Sequence, residues 1–404
     1  MRTGLAAAAV ALAVAGVAAN PDAIRSLKVR GTLLEVGRAV GEAFGSSIRA
    51  KLDGAGYQSL WSFVTTTEKG KDAFARMWRA VNSSGRFAPF LDEVRGMADG
   101  ANVTFERALM MQMGDELELL SGQHVDHCTD VVAPAATGEG SFAPVPAGAA
   151  VSGVLAHNED GGRVNFGLTY LLDADVSADG QVPAHGFTAY CYPGQLPTGA
   201  FGFTRHGTVL TTNGLFPLRV DVDAVPRHFV SRLAMAQPSA RHVIDLLTST
   251  RLACGFSANV AQAGAPGTMW NVETATGGEF SVLEVSAAEP VERNWAFHMN
   301  EYLRLDTPQS PDASSSHRLA RADAMPAPAS VGRVLDILGD RADRSYPIYR
   351  DGAPPDEYAT LATVTFEIFN GTSEAGGRAW LQLNDPKSCQ PLVEWTLPRP
   401  RPGR

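Results

Sequence analysis

Cys128 is the residue of this sequence best suited to covalent chemistry. It stands in the stretch HVDHCTDVVAP, between a helix-like run and the first of a series of short β-type runs. A thiol is an effective nucleophile when a base takes its proton and donors meet the oxyanion that its attack creates. Three histidines offer themselves for a Cys–His pair: His127, His157 and His298. His127 is adjacent in sequence, and neighbours on a strand face opposite sides, which turns it away from the thiol. The local signature of papain-type cysteines is also absent. A more economical arrangement arises if the chain breaks before Cys128. The freed α-amino group, with an ordinary pKa of about 7.7 to 8.0, then serves as base for the thiol on the same residue. By position alone, Cys128 also reads as a small buried hydrophobe.

Further polar residues follow in HNEDGG (His157 to Gly162) and HMNEYLRL (from His298). Taken singly they have plain structural readings. Asp160 before Gly161 and Gly162 is a turn signal, Asn300 is a loop residue, and Asn213-Gly214 is a hairpin turn. His157 and His298 lack the paired spacing of a zinc site and read as core or strand-end histidines, so neither a metal nor another cofactor is expected.

The elements that must position these groups fall into two textures. From about Leu33 to Leu120 the pattern is helical. FERALMMQMGDELELL aligns Phe105, Leu109, Met113, Leu117 and Leu120 on one face, with Thr104 as its cap, and its methionines read as core filling. After Cys128 come short β-type runs punctuated by Gly, Pro, Asn and Asp: TDVVA, SGVLAHN, FGLTYLLDADV, GFTAYCY and AFGFTRHGTVLTTNG. Two helices interrupt, at PRHFVSRLAMAQ and SARHVIDLLTST. Strands resume at TMWNVET, GEFSVLEV and NWAFHMN. A helical pair spans about Ser314 to Arg341, and LATVTFEIFN and GRAWLQLND close the chain. Strand blocks flanking consecutive helices predict an α+β layered sandwich rather than βαβ winding.

With 404 residues, 45% of them hydrophobic, the chain can bury a large core. A net charge of -9 without a basic stripe excludes a nucleic-acid partner. The first nineteen residues have an Arg near the start, an apolar Ala/Val stretch and the small pair Ala18-Ala19, the grammar of a signal peptide ending there, and no later segment reads as a membrane span. This predicts the secretory pathway, with a secreted or a vesicular, lysosome-like destination. Sequons at Asn82, Asn102 and Asn370 are then glycosylation candidates. Four cysteines are too few for a disulfide scaffold; with Cys128 free, Cys191, Cys254 and Cys389 form at most one bridge.

The ordered set of HCTD, HNEDGG, FTAYCYPGQLPTGAFGF with TNGL, HMNEYLRL, YATLATVTFEIFN and GRAWLQLNDP resembles the peptidase family C45 of N-terminal nucleophile hydrolases. That family includes the fungal acyl-CoA:6-aminopenicillanic acid acyltransferase and the β-alanyl-dopamine (carcinine) hydrolases. The resemblance runs from about residue 26 to the end. It implies a four-layer αββα sandwich and self-cleavage before Cys128. The products would be a mostly helical α chain, 20–127, and a catalytic β chain, 128–404, that stay together as an α/β heterodimer. It implies Cys128 as nucleophile, Asp160 near the new amino terminus and Asn300 in the oxyanion hole. Thr129 and Asn158 match the family's threonine and asparagine in those motifs, Arg350 in YPIYRDG matches an arginine near the site, and these three with Asp130 are the candidates for contact with substrate. The stretch Tyr190 to Gly199 is closest to the β-alanyl-dopamine hydrolase branch. Two departures stand out: His127 occupies the place of a glycine before the nucleophile, and Asp130 that of a Ser or Thr.

The activity so implied is hydrolysis of small N-acyl amides, β-alanyl amides of biogenic amines among them, through a thioester. Two alternatives remain: transfer of an acyl group from coenzyme A, and an uncleaved secreted binding protein whose site has decayed.

Overall fold

The computed structural model describes residues 23–122, 128–134, 136–265, 267–289 and 294–400. The leader 1–19 and His127 lie outside the described residues. The chain opens with strand β1 (Arg25–Gly31), which buries Leu27 and Val29 by simple alternation. Thr32 then caps helix α1 (Leu33–Asp53): its side chain accepts the Glu35 N–H while the Glu35 carboxylate accepts the Thr32 N–H, a reciprocal pair that satisfies two helix-end donors. Helices α2 (Ala55–Thr66), α3 (Glu68–Asn82), α4 (Phe90–Ala101), α5 (Phe105–Met111) and α6 (Gly114–Ser121) complete the helical segment.

The β-rich part runs β2 (Cys128–Ala133), β3 (Ala149–Gly162), β4 (Tyr170–Val176), β5 (His185–Cys191), β6 (Phe201–Thr204) and β7 (Thr208–Gly214). Helices α7 (Arg227–Ala234) and α8 (Ala240–Ser249) follow. Next come β8 (Phe256–Gln262), β9 (Thr268–Thr274), β10 (Phe280–Ser286) and β11 (Ala296–His298), then α9 (Ala313–Asp323) and α10 (Val331–Leu338). Strands β12 (Tyr358–Gly371), β13 (Ala375–Gln382) and β14 (Val393–Pro398) end the fold.

Two sheets result. One has the order β1-β4-β5-β6-β7-β8-β9-β10, the other β11-β2-β3-β12-β13-β14. Their strands pair antiparallel except for β1 with β4. Three apolar clusters define four layers. Helices α1 to α8 pack on one face of the eight-stranded sheet through residues such as Phe44, Phe229, Leu172 and Val260. The other face meets the six-stranded sheet through Tyr190, Phe201, Leu155 and Phe366. The outer face of the six-stranded sheet is covered by α9 and α10 through Val131, Ala156, Val334 and Leu338. The molecule is therefore an αββα sandwich, as the resemblance implies.

Some sequence expectations need correction. The run from Phe105 to Leu120 is two helices, not one. Gln112 is fully buried at the break, where its amide donates to the Gly194 carbonyl at 2.6 Å and accepts the Leu196 N–H at 2.6 Å. Met113 leaves helical geometry and Gly114 starts the next helix. The N-terminal segment also contributes a strand: β1 is the edge of the larger sheet, so the segment shares its core with the rest of the chain. Asn213-Gly214 is not a hairpin turn but the end of β7, paired with Ser257 and Phe256 of β8. Strand β8 escapes the sequence pattern because Ser257 and Asn259 put polar groups on its buried inter-sheet side. All four cysteines are free. Asn82 and Asn102 are exposed and Asn370 is half-buried. Among the described residues no helix is long and apolar enough to cross a membrane.

Helix α1 carries Lys51 to the candidate site, and its own position is set by unusually close contact with α4. A Cβ added at Gly37 would lie 1.9 Å from the Glu93 carbonyl oxygen, and one at Gly96 would lie 2.0 Å from that of Leu34. Backbone meets backbone at both points and neither can yield. Gly96→Ala is expected to cost about 2 to 3 kcal/mol of stability by overpacking, read by urea unfolding. Gly56→Ala in α2, where a Cβ meets nothing within 4 Å, should be neutral or gain up to about 1 kcal/mol.

Candidate active site

Strand alternation sorts the candidate residues into two groups. On β2, Val132 belongs to the inter-sheet cluster while Val131 and Ala133 face α9 and α10. Cys128 and Asp130 therefore point between the sheets, and Thr129 points the other way. On β3, Leu155 is inter-sheet whereas Val154 and Ala156 face the helices. His157 and Glu159 accordingly join Cys128, and Asn158 and Asp160 lie on the opposite face. The register pairs Cys128 with Glu159 and Asp130 with His157.

A continuous polar chain follows. The Cys128 thiol donates to Glu159 Oε2 at 3.6 Å. His157 places Nε2 2.9 Å from the same oxygen and Nδ1 3.0 Å from Asp130 Oδ1. Thr211 on β7 donates to Asp130 at 2.6 Å and accepts from Asn259 at 3.2 Å. Tyr192 donates to Glu159 Oε1 at 2.6 Å. With a carboxylate on each ring nitrogen, the His157 ring donates at both. Burial disfavours its charge, but Asp130 and the bonds around it outweigh that and hold its pKa well above the usual value. The thiol is pushed up to about 12 by burial and by Glu159, against the opposing pull of His157. It keeps its proton until a base takes it.

A second network grips the backbone of Cys128. Its N–H donates to Asn300 Oδ1 at 3.0 Å, and its carbonyl accepts from Arg318 Nη1 at 2.6 Å. Arg318, fully buried, also donates to Thr129 Oγ1 at 2.7 Å and Asn300 Oδ1 at 2.9 Å. Two donors at one oxygen fix the amide orientation, and Asn300 Nδ2 is left to donate to the Gly214 carbonyl at 3.0 Å. Asp160 accepts from Thr360 at 2.7 Å through Oδ1. Among the described residues its Oδ2 has no hydrogen-bond partner; it lies 3.9 Å from Arg350 Nη1, which has none either. Burial raises the Asp160 pKa to about 7, with Arg350 and Arg318 opposing.

A cavity of about 550 Å³ reaches Cys128 and Glu159. Tyr57, Tyr192, Lys51, His228 and the Asp115–Arg227 ion pair form much of its wall. His228 is buried, which lowers its pKa to about 4 and leaves it neutral. Of the stretch from Tyr190 to Gly199, Tyr192, Gln195 and Gly199 line this cavity.

Cys128 and Asn300 are thus in direct contact, and Asp160 stands close enough for its charge to oppose ionisation of the thiol. None of the four substrate-contact candidates is on the cavity wall. Thr129 faces Arg318. Asp130 is walled in by His157 and Thr211. Asn158 donates to the Leu338 and Ile348 carbonyls and accepts from Thr363, tying β3 to the end of α10, the segment after it and β12. Arg350 is committed to Asp356.

Of the three histidines considered for a pair with the thiol, His157 is the one that lies beside it; sequence reasoning missed Glu159, although counting in twos from Leu155 finds it. It also missed Arg318, which no short motif marks, and Asn213. The latter is buried at the Gly214 end of β7, with neither polar atom of its amide partnered among the described residues. Cys128, His157 and Glu159 bring a sulfur, a ring nitrogen and a carboxylate oxygen within 4.8 Å of one another, a donor set that suits a borderline divalent ion. Here the three are bonded to each other. His298, the other histidine considered, bonds Glu273.

A family model for acyl-coenzyme A:6-aminopenicillanic acid acyl-transferase matches residues 148–386, more than half of the chain. The chain belongs to this family. The matched span of this acyl-transferase family member includes Asp160, Asn300, Arg318 and Arg350, while Cys128 precedes it. Over 367 residues the chain is 25% identical to a β-alanyl-dopamine/carcinine hydrolase of Drosophila melanogaster, covering 86% of this chain and 91% of that protein. Two solved structures are more distantly similar. Penicillin V acylase from Agrobacterium tumefaciens covers 65% of this chain and 84% of its own, at 12% identity and a TM-score of 0.35. A mutant conjugated bile acid hydrolase from Clostridium perfringens covers 66% and 96%, at 10% identity and a TM-score of 0.34.

The buried Asp160 has a consequence for stability. Its folded carboxyl keeps a proton up to about pH 7, whereas in the unfolded chain it ionises near about 3.9. Between these values the folded state binds more protons, so stability falls as pH rises from about 4 to 7. Asp160→Asn removes that titration and should flatten this part of the profile, measured by urea unfolding across the interval. Parallel profiles for variant and parent would contradict the assignment.

Proposed function

We propose that the chain is a self-processing cysteine amidohydrolase acting on small N-acyl amides, with Cys128 as nucleophile. The observation that carries this reading is the double engagement of Cys128. It is the first residue of β2, its nitrogen is held by Asn300, and its thiol lies beside Glu159 at a cavity. A break of the His127–Cys128 bond turns that nitrogen into an α-amine without moving it from Asn300. The maturation step is attack of Sγ on the His127 carbonyl, an N-to-S shift of the acyl group, and hydrolysis of the resulting thioester. The shared apolar core and the β1–β4 pairing support continued association of the two products. The leader supports a secretory location.

In turnover the α-amine takes the thiol proton and sulfur attacks the amide carbonyl. The C–N bond breaks, and the departing amine takes its proton from the α-ammonium. Water then attacks the thioester, releasing the carboxylic acid and returning a hydrogen to sulfur. Asn300 Nδ2 has a second N–H beyond the one given to the Gly214 carbonyl. The amide of Asn213, one residue before Gly214, is a further donor, with no hydrogen-bond partner among the described residues. The similarity to the Drosophila hydrolase supports β-alanyl amines as the first substrates to test. The family's own description favours a second reading, transfer of the acyl group to an amine. The two differ only in what resolves the thioester.

Cys128→Ala is expected to stay uncleaved and to lose all amide turnover, while Cys128→Ser retains slow processing; mass spectrometry and an amine-release assay read both. Turnover that persists in Cys128→Ala would overturn the nucleophile. Asn213→Ala should lower kcat by about 10² to 10³ with little change in KM, measured on protein whose processing is verified by mass. An acyl-CoA or amine acceptor that diverts the acyl group from water would favour the transferase.

A further inference from the structure

The acid beside the nucleophile has chemistry that amide hydrolysis by an N-terminal cysteine does not use. Glu159 accepts from Tyr192 through one oxygen, and from His157 and the Cys128 thiol through the other. A carboxylate offers about four acceptor positions, so one remains open and the residue lines the cavity. When Sγ becomes acylated it loses its hydrogen, and Glu159 Oε2 loses that donor too. The deficit therefore appears at the moment an acyl group is attached beside it.

Charge points the same way. Asp130 and Glu159 flank a doubly donating His157, so two buried acids share one base. A buried charge without a counterion is costly. Two cationic side chains of the cavity wall have neighbours of their own. Arg227 is paired with Asp115, and the Lys51 ammonium sits over the Tyr192 ring, 4.6 Å from its centroid.

Resting on the amidohydrolase reading, we infer that Glu159 is a specificity-determining residue that binds a primary ammonium group carried by the acyl half of the substrate, within two methylenes of the scissile carbonyl. Only the acyl half stays bonded to sulfur, and Glu159 Oε2 is 3.6 Å from that sulfur. An ammonium on a short acyl chain reaches this carboxylate, while the leaving amine extends along the cavity toward Tyr57. β-Alanyl amides fit this class, and neutral acyl groups of the same length leave Glu159 unpaired.

The test compares a β-alanyl amide with the propionyl amide of the same amine, which differs by the ammonium alone. Parent protein should favour the β-alanyl amide by about 100-fold or more in kcat/KM, a ratio in the range by which buried charge-assisted pairs discriminate. Glu159→Gln should cut that ratio at least tenfold, and Glu159→Asp should restore part of it. The ratio cancels any general loss of rate. A Glu159→Gln protein that keeps the ratio while both rates fall would overturn the proposal and leave the amidohydrolase reading standing. Binding to the Cys128→Ala chain decides the point independently of processing and turnover. By ligand-observed NMR, β-alaninamide should bind at least tenfold more tightly than propionamide, and adding Glu159→Gln should equalise the two. Equal binding before that substitution would overturn the proposal. Absence of turnover with this binding preference intact would instead contradict the amidohydrolase reading.

Discussion

His157 has a carboxylate on each ring nitrogen in a part of the molecule that water does not reach. This arrangement makes demands on everything around it. Two carboxylates so close repel unless a cation separates them, and Asp130 with the bonds around the ring favours the imidazolium against burial. Removing either partner from such a buried set typically costs about 3 to 5 kcal/mol, because the remaining charges are left uncompensated. Thr211 and Asn259 on the larger sheet and Tyr192 after β5 complete the set. The two sheets are therefore joined across their interface by polar bonds as well as by apolar contact, and the bonds converge on the end where Cys128 lies.

The opposite face of the same two strands solves a different problem. There Arg318 reaches the carbonyl of Cys128, the hydroxyl of Thr129 and the amide of Asn300, so one buried guanidinium fixes the backbone at the nucleophile. Asp160 and Arg350 stand behind it, each with one polar atom unmatched. Thiol chemistry is thus set from the inter-sheet side, and the backbone nitrogen and carbonyl from the helix side. A two-residue period in β2 and β3 lets consecutive residues serve both.

Much of the architecture is legible in the sequence because the strands alternate and are bounded by Gly, Pro and Asn. The loop between β2 and β3, the pair α7–α8 and the helices α9 and α10 fall where patterning puts them. Legibility fails where side chains serve the site rather than the core. Strand β8 hides because Ser257 and Asn259 break its apolar pattern, and Gln112 splits a helix whose periodicity is otherwise intact. Within the site, Cys128, Asp160 and Asn300 carry recognisable local motifs. Arg318 comes from α9, 190 positions beyond Cys128, and its part is fixed by long-range packing alone. In HNED the motif residues Asn158 and Asp160 draw attention, yet it is the alternate residues His157 and Glu159 that meet the thiol.

The central claim is that Cys128 becomes an amino-terminal residue whose own α-amine activates its thiol. It is tested most directly by intact mass and N-terminal sequencing of the purified, active protein. The account predicts two associated fragments, one of them beginning Cys-Thr-Asp-Val. A single chain that hydrolyses amides with the His127–Cys128 bond intact would contradict it.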